Sequence, residues 1–284
     1  MRRDRRARDA SCIDNVARLL LRLPEPYSFE ISTERFRVFG LDLANVWDDG
    51  ALLRVVAGRE VRIVATPGGV DVEPLDAVTR PVVEQLLGLP FDLGPFAAWA
   101  STEPVLGPIV ARLAGFRPTL VPDPFESLVT SITAQQISLR AAGAIRSRFI
   151  EALGVRAGRV YAFPRRERVA EAAEQLLVAL GFSRKKAEYV IALARHPIDL
   201  DSLGAHDDDE IRAALTALPG IGAWTAEWFL ARHLARPTAW PAGDLALRRA
   251  VELFYGSDVR ELGPKLHPFQ NLSAHYLLTA SRNP

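Results

Sequence analysis

Two short stretches carry the residues best placed to do chemistry. The first, Leu218-Pro219-Gly220-Ile221-Gly222-Ala223-Trp224-Thr225-Ala226, sets a proline and two glycines between runs of helical spacing. Pro219 stops a preceding helix, and the glycines reach backbone conformations closed to other residues, so a tight helix-to-helix turn is expected. The next helix should begin near Ala223 with its free N–H groups pointing outward, and the small residues at the turn let a phosphate approach them. Such a hairpin holds a nucleic acid by its backbone without reading sequence. The same residues also suit a plain corner between two helices with a glycine cap. The second stretch, Trp240-Pro241-Ala242-Gly243-Asp244-Leu245-Ala246-Leu247-Arg248-Arg249, places an acid, Asp244, twenty-two positions after Gly222 and behind another turn bearing proline and glycine. Asp244 reads as the start of the following helix, where the helix dipole favours a carboxylate. Taken alone, it suits a simple N-cap best.

The elements that must position these groups can be read around them. Asp123-Pro124-Phe125-Glu126 begins a helix, with Asp123 as cap, Pro124 at the first helical position and Glu126 available to complete a capping box. That helix is expected to run past Gln136. Asp207 with Glu210 three residues later starts another, placing Ile211, Leu215 and Leu218 on one face and leading into the hairpin. Before these, Phe29 to Glu73 holds short β-type runs, Leu52 to Ala57, Val61 to Ala65 and Val70 to Val72, broken by Gly58-Arg59-Glu60 and Pro67-Gly68-Gly69. They read as an antiparallel meander. From about Leu75 the texture is helical, with no further strand expected. The fold class is therefore mainly α: an all-helical body behind a small antiparallel α/β N-terminal domain.

Composition sets wider limits. A chain of 284 residues, 49% of them hydrophobic, supports two or three packed units. The net charge of +1 lacks the basic excess of many non-specific DNA binders and decides nothing. Lysine occurs only at Lys185, Lys186 and Lys265, so nearly all positive charge is arginine, which suits bidentate phosphate contacts and equally reflects biased codon usage. The runs Arg184-Lys185-Lys186 and Arg248-Arg249 fit phosphate contacts or a solvated helix face. A single cysteine, Cys12, excludes an intrachain disulfide and a four-cysteine cluster. The five histidines show no ligand spacing, so no zinc is expected. No apolar stretch reaches membrane length, and the start Met1-Arg2-Arg3-Asp4-Arg5-Arg6 carries no secretory signal, which makes the cytoplasm or nucleoid the expected location.

Together, the hairpin, the glycine- and proline-bearing stretch and the aspartate resemble the helix-hairpin-helix (HhH-GPD) DNA glycosylase superfamily. The resemblance extends to Asp123 through Ile145, with Ala134-Gln135-Gln136-Ile137-Ser138, and to Leu180-Gly181-Phe182-Ser183-Arg184-Lys185-Lys186-Ala187-Glu188-Tyr189. The β-rich N-terminal part is similar to the one in bacterial glycosylases of the 3-methyladenine type II branch. On this resemblance the chain divides into an α/β domain over 1–95 and a helical domain with the hairpin over 118–236. A second helical subdomain, 96–117 plus 237–284, carries the acid.

The resemblance implies a monofunctional enzyme that flips alkylated bases out of double-stranded DNA and excises them hydrolytically, acting as a monomer. Asp244 would be catalytic, because cleaving an N-glycosidic bond builds positive charge on the sugar, and the same carboxylate could orient the attacking water. Bifunctional relatives have a lysine two residues past the last hairpin glycine, where this chain has Trp224, so no strand-cutting lyase step is expected. Trp224 and Trp228, four apart, would line the base pocket with Tyr276, offering π faces to cationic alkylated purines. Gln136 matches the position of the wedge that fills the vacated stack, with Gln135 beside it, while Gly220, Ile221, Gly222, Ala223 and Thr225 would hold DNA. No cofactor is implied beyond a monovalent cation at the hairpin carbonyls. The chain also fits a same-fold glycosylase for oxidised, deaminated or mispaired bases, a non-catalytic hairpin module that only binds DNA, and a helical interaction protein without nucleic-acid affinity.

Overall fold

The computed structural model describes residues 19–282. Cys12 and the arginine-rich start, with the readings made on them, lie outside the described residues. Five strands form one antiparallel sheet: β1 (Leu19–Arg22), β2 (Asn45–Asp48), β3 (Ala51–Val56), β4 (Arg59–Thr66) and β5 (Gly69–Glu73), ordered β1-β5-β4-β3-β2. Strands β3 to β5 are the three runs expected from the sequence. β1 and β2 are four residues each, too short for alternation to stand out. Two single-turn helices, α1 (Phe29–Ser32) and α2 (Arg35–Val38), link β1 to β2. Leu52 of β3 faces Ile63 of β4, which faces Val72 of β5, and this apolar layer is closed by Val83 and Leu86 of α3 (Thr79–Leu86).

The helical body holds α4 (Leu93–Ala100), α5 (Leu106–Arg112), α6 (Pro124–Ala134), α7 (Leu139–Leu153), α8 (Arg166–Ala170), α9 (Glu174–Ala179) and α10 (Arg184–Arg195). It continues with α11 (Asp208–Thr216), α12 (Ala223–Arg232), α13 (Leu245–Tyr255), α14 (Val259–Leu262) and α15 (Gln270–Arg282). One apolar core running from Phe91 to Ala280 joins these helices, and α15 is buried along nearly its whole length. Among the described residues, no helix is long and apolar enough to cross a membrane.

Strands do recur beyond Leu75, against expectation. A hairpin of β6 (Val155–Ala157) and β7 (Val160–Ala162) turns at Gly158, whose φ is +61. Val160 packs on Ala51 and Leu53, and the Tyr161 N–H donates to Leu43 O at 2.9 Å. β3 is thereby buried on both faces, which accounts for its unbroken apolar start, Ala51-Leu52-Leu53.

Two further expectations are corrected at α6. Asp123 caps it, accepting from the Glu126 N–H at 2.6 Å, but Glu126 does not complete a capping box. Its carboxylate turns inward to Arg54 Nη2 and Arg146 Nη2, each at 2.5 Å, while Arg54 also donates to Asn45 at 2.7 Å and Arg146 pairs with Asp42. This buried cluster binds the sheet domain to α6 and α7. The helix itself ends at Ala134 rather than past Gln136: Gln135 is extended at ψ 129, and Gln136 takes a left-handed φ of +58.

Candidate active site

The hairpin is assembled from α11, a tight turn and α12. Asp207 and Glu210 form the capping box that starts α11, and Ile211, Leu215 and Leu218 seat it in the core. After Pro219, Gly220 adopts a φ of +80, and a Cβ there would stand 2.2 Å from the Tyr189 ring, so the position tolerates only glycine. The Ile221 N–H donates to Leu218 O at 3.2 Å and its side chain is buried, so Ile221 offers its backbone rather than its side chain to the surface. Gly222 then begins α12 in an extended conformation and brings no capping side chain, and Gly222 and Ala223 are exposed. The first-turn N–H groups of α12 therefore open outward, as anion binding requires. Thr225, expected at the DNA surface, is instead buried at 1% exposure, its hydroxyl accepting from Gln135 Nε2 at 3.2 Å.

Asp244 is positioned from both ends of its carboxylate. The turn before it is closed by the Asp244 N–H donating to Pro241 O at 2.8 Å, and Oδ1 caps α13 by accepting the Leu247 N–H at 3.0 Å. Oδ2 accepts from two indoles, Trp224 Nε1 and Trp228 Nε1, each at 3.0 Å. Asp244 is thus an N-cap and also a clamped, half-exposed carboxylate with one oxygen presented between two tryptophans. The four-residue spacing of the tryptophans brings both N–H groups to the same oxygen.

That arrangement changes what Trp228 can do. It is 2% exposed, with the Arg232 guanidinium 3.5 Å above its ring centre and His275 against it at 5.9 Å. Its π face is already covered, so it holds Asp244 rather than offering a surface to a base. Trp224 is half-buried and keeps exposed area beside the acid. Tyr276 lies in the core, packed on Phe96 and Phe116 with ring centres 5.0 Å away, and its hydroxyl donates to Phe116 O at 2.8 Å. Sequence reading placed it in the pocket because its aromatic character is visible and its packing partners, more than a hundred residues distant, are not.

Gln136 is exposed at the tip between α6 and α7. Gln135, beside it, donates through Nε2 to Gly220 O at 2.9 Å as well as to Thr225, tying this tip to the hairpin. Lys186 does not face outward with its basic run. Its ammonium donates to Thr133 O at 2.8 Å and Gln135 O at 2.6 Å, while Lys185 pairs with Glu188 at 3.0 Å. Arg248 and Arg249 are exposed on α13, next to the acid.

Behind the carboxylate the surroundings are electropositive. Burial, then the nearby charge of Arg35, pulls the Arg232 guanidinium down to about 9, with Asp244 opposing the shift. Burial and then Arg232 hold His275 well below the usual imidazole range, so it is neutral at pH 7. Arg232 and His275 were not anticipated from sequence; the four-residue step from Trp228 to Arg232 is the one signal that pointed to the first. Among the described residues no group of three or more His, Cys, Asp or Glu is placed to hold a metal. The turn carbonyls of Leu218 and Gly220 each accept one hydrogen bond and keep a second lone pair, a donor set that suits a monovalent cation.

A glycine turn open to phosphate and a clamped carboxylate opening the next helix are the features by which the chain resembles the HhH-GPD superfamily. The family model, described as HhH-GPD superfamily base excision DNA repair protein, matches residues 129–265. The chain is 30% identical over 179 residues to a DNA-3-methyladenine glycosylase of Bacillus subtilis, covering 60% of this chain and 59% of that protein. It resembles the solved 3-methyladenine DNA glycosylase from Archaeoglobus fulgidus with a TM-score of 0.84 and 26% identity, over 93% of this chain and 98% of the other. The fold alone is shared with an 8-oxoguanine glycosylase/lyase of Clostridium acetobutylicum bound to DNA, at a TM-score of 0.77 and 17% identity over 90% and 92%. The chain spans about half the length of the curated relatives it matches.

Proposed function

We propose that this protein is a DNA glycosylase that hydrolyses the N-glycosidic bond of alkylated bases of the 3-methyladenine type, in base excision repair, without cutting the strand. The observation that carries this reading is the Asp244 carboxylate, fixed by two indole N–H groups at 3.0 Å beside a phosphate-binding hairpin. Breaking the bond builds positive charge on the sugar, and a preorganised carboxylate stabilises that charge and orients the attacking water. The indoles are neutral donors, so they fix the carboxylate without cancelling its charge.

The remaining parts fit the same task. The backbone of Gly220, Ile221, Gly222 and Ala223 holds a phosphate of the duplex, and the carbonyls of Leu218 and Gly220 would carry a monovalent cation that adds positive charge there. Extruding the target base costs a few kcal/mol, which Gln136 offsets by filling the vacated stack. The exposed part of Trp224 stacks on the extruded base and favours electron-poor, alkylated rings. Position 224 offers no amine, so no Schiff base forms and the product is an intact abasic strand. Support comes from the 3-methyladenine glycosylases among the similar proteins.

The test is release of 3-methyladenine and 7-methylguanine from methylated duplex DNA by the wild type and by Asp244→Asn, with strand breaks scored before and after alkali. Release that disappears in Asp244→Asn while DNA binding persists, with breaks only after alkali, is expected. No release by the wild type redirects the search to other lesions or to a binding role, and breaks before alkali overturn the monofunctional reading.

A further inference from the structure

The tip that carries Gln136 and the turn that faces phosphate are far apart in sequence, yet the Gln135 side chain joins them and Lys186 fixes the chain from which it extends. Helix α6 ends at Ala134 with no glycine or proline to stop it. Its last carbonyls are taken instead by Lys186, reaching across from α10: Nζ lies 2.8 Å from Thr133 O and 2.6 Å from Gln135 O. A cation at a helix C-terminus is favoured by the dipole, and two carbonyls in place of water fix the chain direction where it leaves the helix. Gln135 then extends its amide to the hairpin, donating to Gly220 O at 2.9 Å and to the buried Thr225 hydroxyl at 3.2 Å. On the far side Ser138 caps α7, accepting the Ala141 N–H at 3.2 Å. Gln136 and Ile137 are left as a two-residue exposed tip anchored at both ends, with Gln136 held at a φ of +58. A residue other than glycine rarely adopts that conformation unless the surroundings impose it.

Resting on the reading of Gln136 as the residue that fills the vacated stack, we infer that Lys186 and Gln135 are positioning residues that couple the phosphate grip to base eviction. They set the height of the tip above the turn. A phosphate seated on the Gly220–Gly222 backbone therefore brings Gln136 to a fixed depth in the duplex, and the paired target base is displaced as the strand is gripped. Lys186 commits two of its three N–H donors to carbonyls of this chain, so its main work is on the end of α6 despite its place in a basic run. The coupling matters most where eviction is expensive, at a fully paired base, and least where the base has no partner to leave.

The test uses the full chain and two duplexes with 2-aminopurine beside a 7-methylguanine, the lesion lying opposite cytosine in one and opposite an abasic gap in the other. The fluorescence rise on binding reports unstacking without requiring excision, and single-turnover release of 7-methylguanine reports chemistry. With Lys186→Met or Gln135→Leu, both signals should fall about tenfold or more on the paired duplex and stay within about twofold of wild type on the gapped one, because the lost bonds bear only on eviction. Lys186→Arg, which still donates to two carbonyls, should restore the paired signals. Equal losses on both duplexes would mean a merely structural role and overturn the inference, as would undiminished eviction in Lys186→Met. If the wild type unstacks the base but releases none, the excision reading falls, and the fluorescence contrast between duplexes still decides the coupling. Failure of the wild type to unstack either duplex overturns both.

Discussion

Replacing Trp228 by phenylalanine isolates one half of the clamp on Asp244. Phenylalanine keeps a ring beneath the Arg232 guanidinium, now 3.5 Å from the indole, but loses the Nε1 donor 3.0 Å from Asp244 Oδ2. A hydrogen bond to a charged group contributes about 1.5–3 kcal/mol, which corresponds to a rate loss of roughly 10- to 150-fold if it is felt only as charge develops on the sugar. The loss should fall on kcat with KM nearly unchanged, because the opposing sugar charge is absent from the bound ground state. Trp228 is 2% exposed, so the smaller ring also leaves a void costing about 1–3 kcal/mol of stability. Assays therefore belong well below the lowered melting temperature. Trp224→Phe removes the second donor, also at 3.0 Å. The double variant leaves Oδ2 with neither, so its penalty should exceed the sum of the single ones. The assay is single-turnover release of 7-methylguanine at saturating enzyme, beside urea unfolding of each variant. A Trp228→Phe enzyme with wild-type kcat, in a background where Asp244→Asn is dead, would refute the argument that the indoles position the carboxylate.

Gly220→Ala should weaken binding to undamaged duplex at low salt, since a Cβ there meets the Tyr189 ring at 2.2 Å and the φ of +80 is strained for alanine. Gly222→Ala has open space around its Cβ and should fold normally, so wild-type binding by Gly220→Ala would refute the turn geometry. Glu126→Gln leaves Arg54 buried without a carboxylate and Arg146 with Asp42 alone, and should cost about 3–5 kcal/mol in urea unfolding; a loss below about 1 kcal/mol would show that the cluster is not what joins the sheet to α6. His275 and His233 are both held below the usual imidazole value, each by burial first. Below pH 6.5 the unfolded chain binds protons that the folded one refuses, so stability falls with pH by up to about 1.4 kcal/mol per unit for each histidine until its depressed folded value is passed. Melting curves from pH 7.5 to 5 should show that decline, and a shallower one in His275→Gln.

The sequence was most legible where local chemistry decides the outcome. The capping box at Asp207 and Glu210, the glycine turn, the start of α12 and the cap at Asp244 all follow from residues within a few positions of one another. It was least legible where a distant group makes the decision. Nothing near Gln136 ends a helix; Lys186 and the hairpin do, from fifty and more residues away. Glu126 satisfies the spacing of a capping box, yet two buried arginines outcompete a backbone N–H for its charge. Tyr276 and Trp228 were read as pocket residues from the family resemblance, with Trp228 also on its spacing from Trp224, and packing against Phe116 in one case and Arg232 in the other covers the faces that role needs. β6 and β7 carried a turn glycine, Gly158, between valines at 155 and 160, but three-residue strands in a helical setting lack the length for periodicity to speak.

Position 224 shows how one residue sets the chemistry available to a fixed frame. The backbone there is dictated by Gly222 and the first turn of α12, and Asp244 is fixed separately by the cap of α13, so any side chain at 224 faces the same carboxylate. A lysine would supply a nucleophile, but its ammonium would also pair with the carboxylate and cancel charge that the developing sugar cation needs. The indole found here donates one hydrogen bond at 3.0 Å and brings no charge. Arg232 stands over the ring of Trp228 rather than bonding to Asp244, so it braces a donor of the acid. A carboxylate held by neutral indoles on one oxygen and a helix N–H on the other is presented in a defined direction, which is what the proposed hydrolysis by electrostatic stabilisation requires.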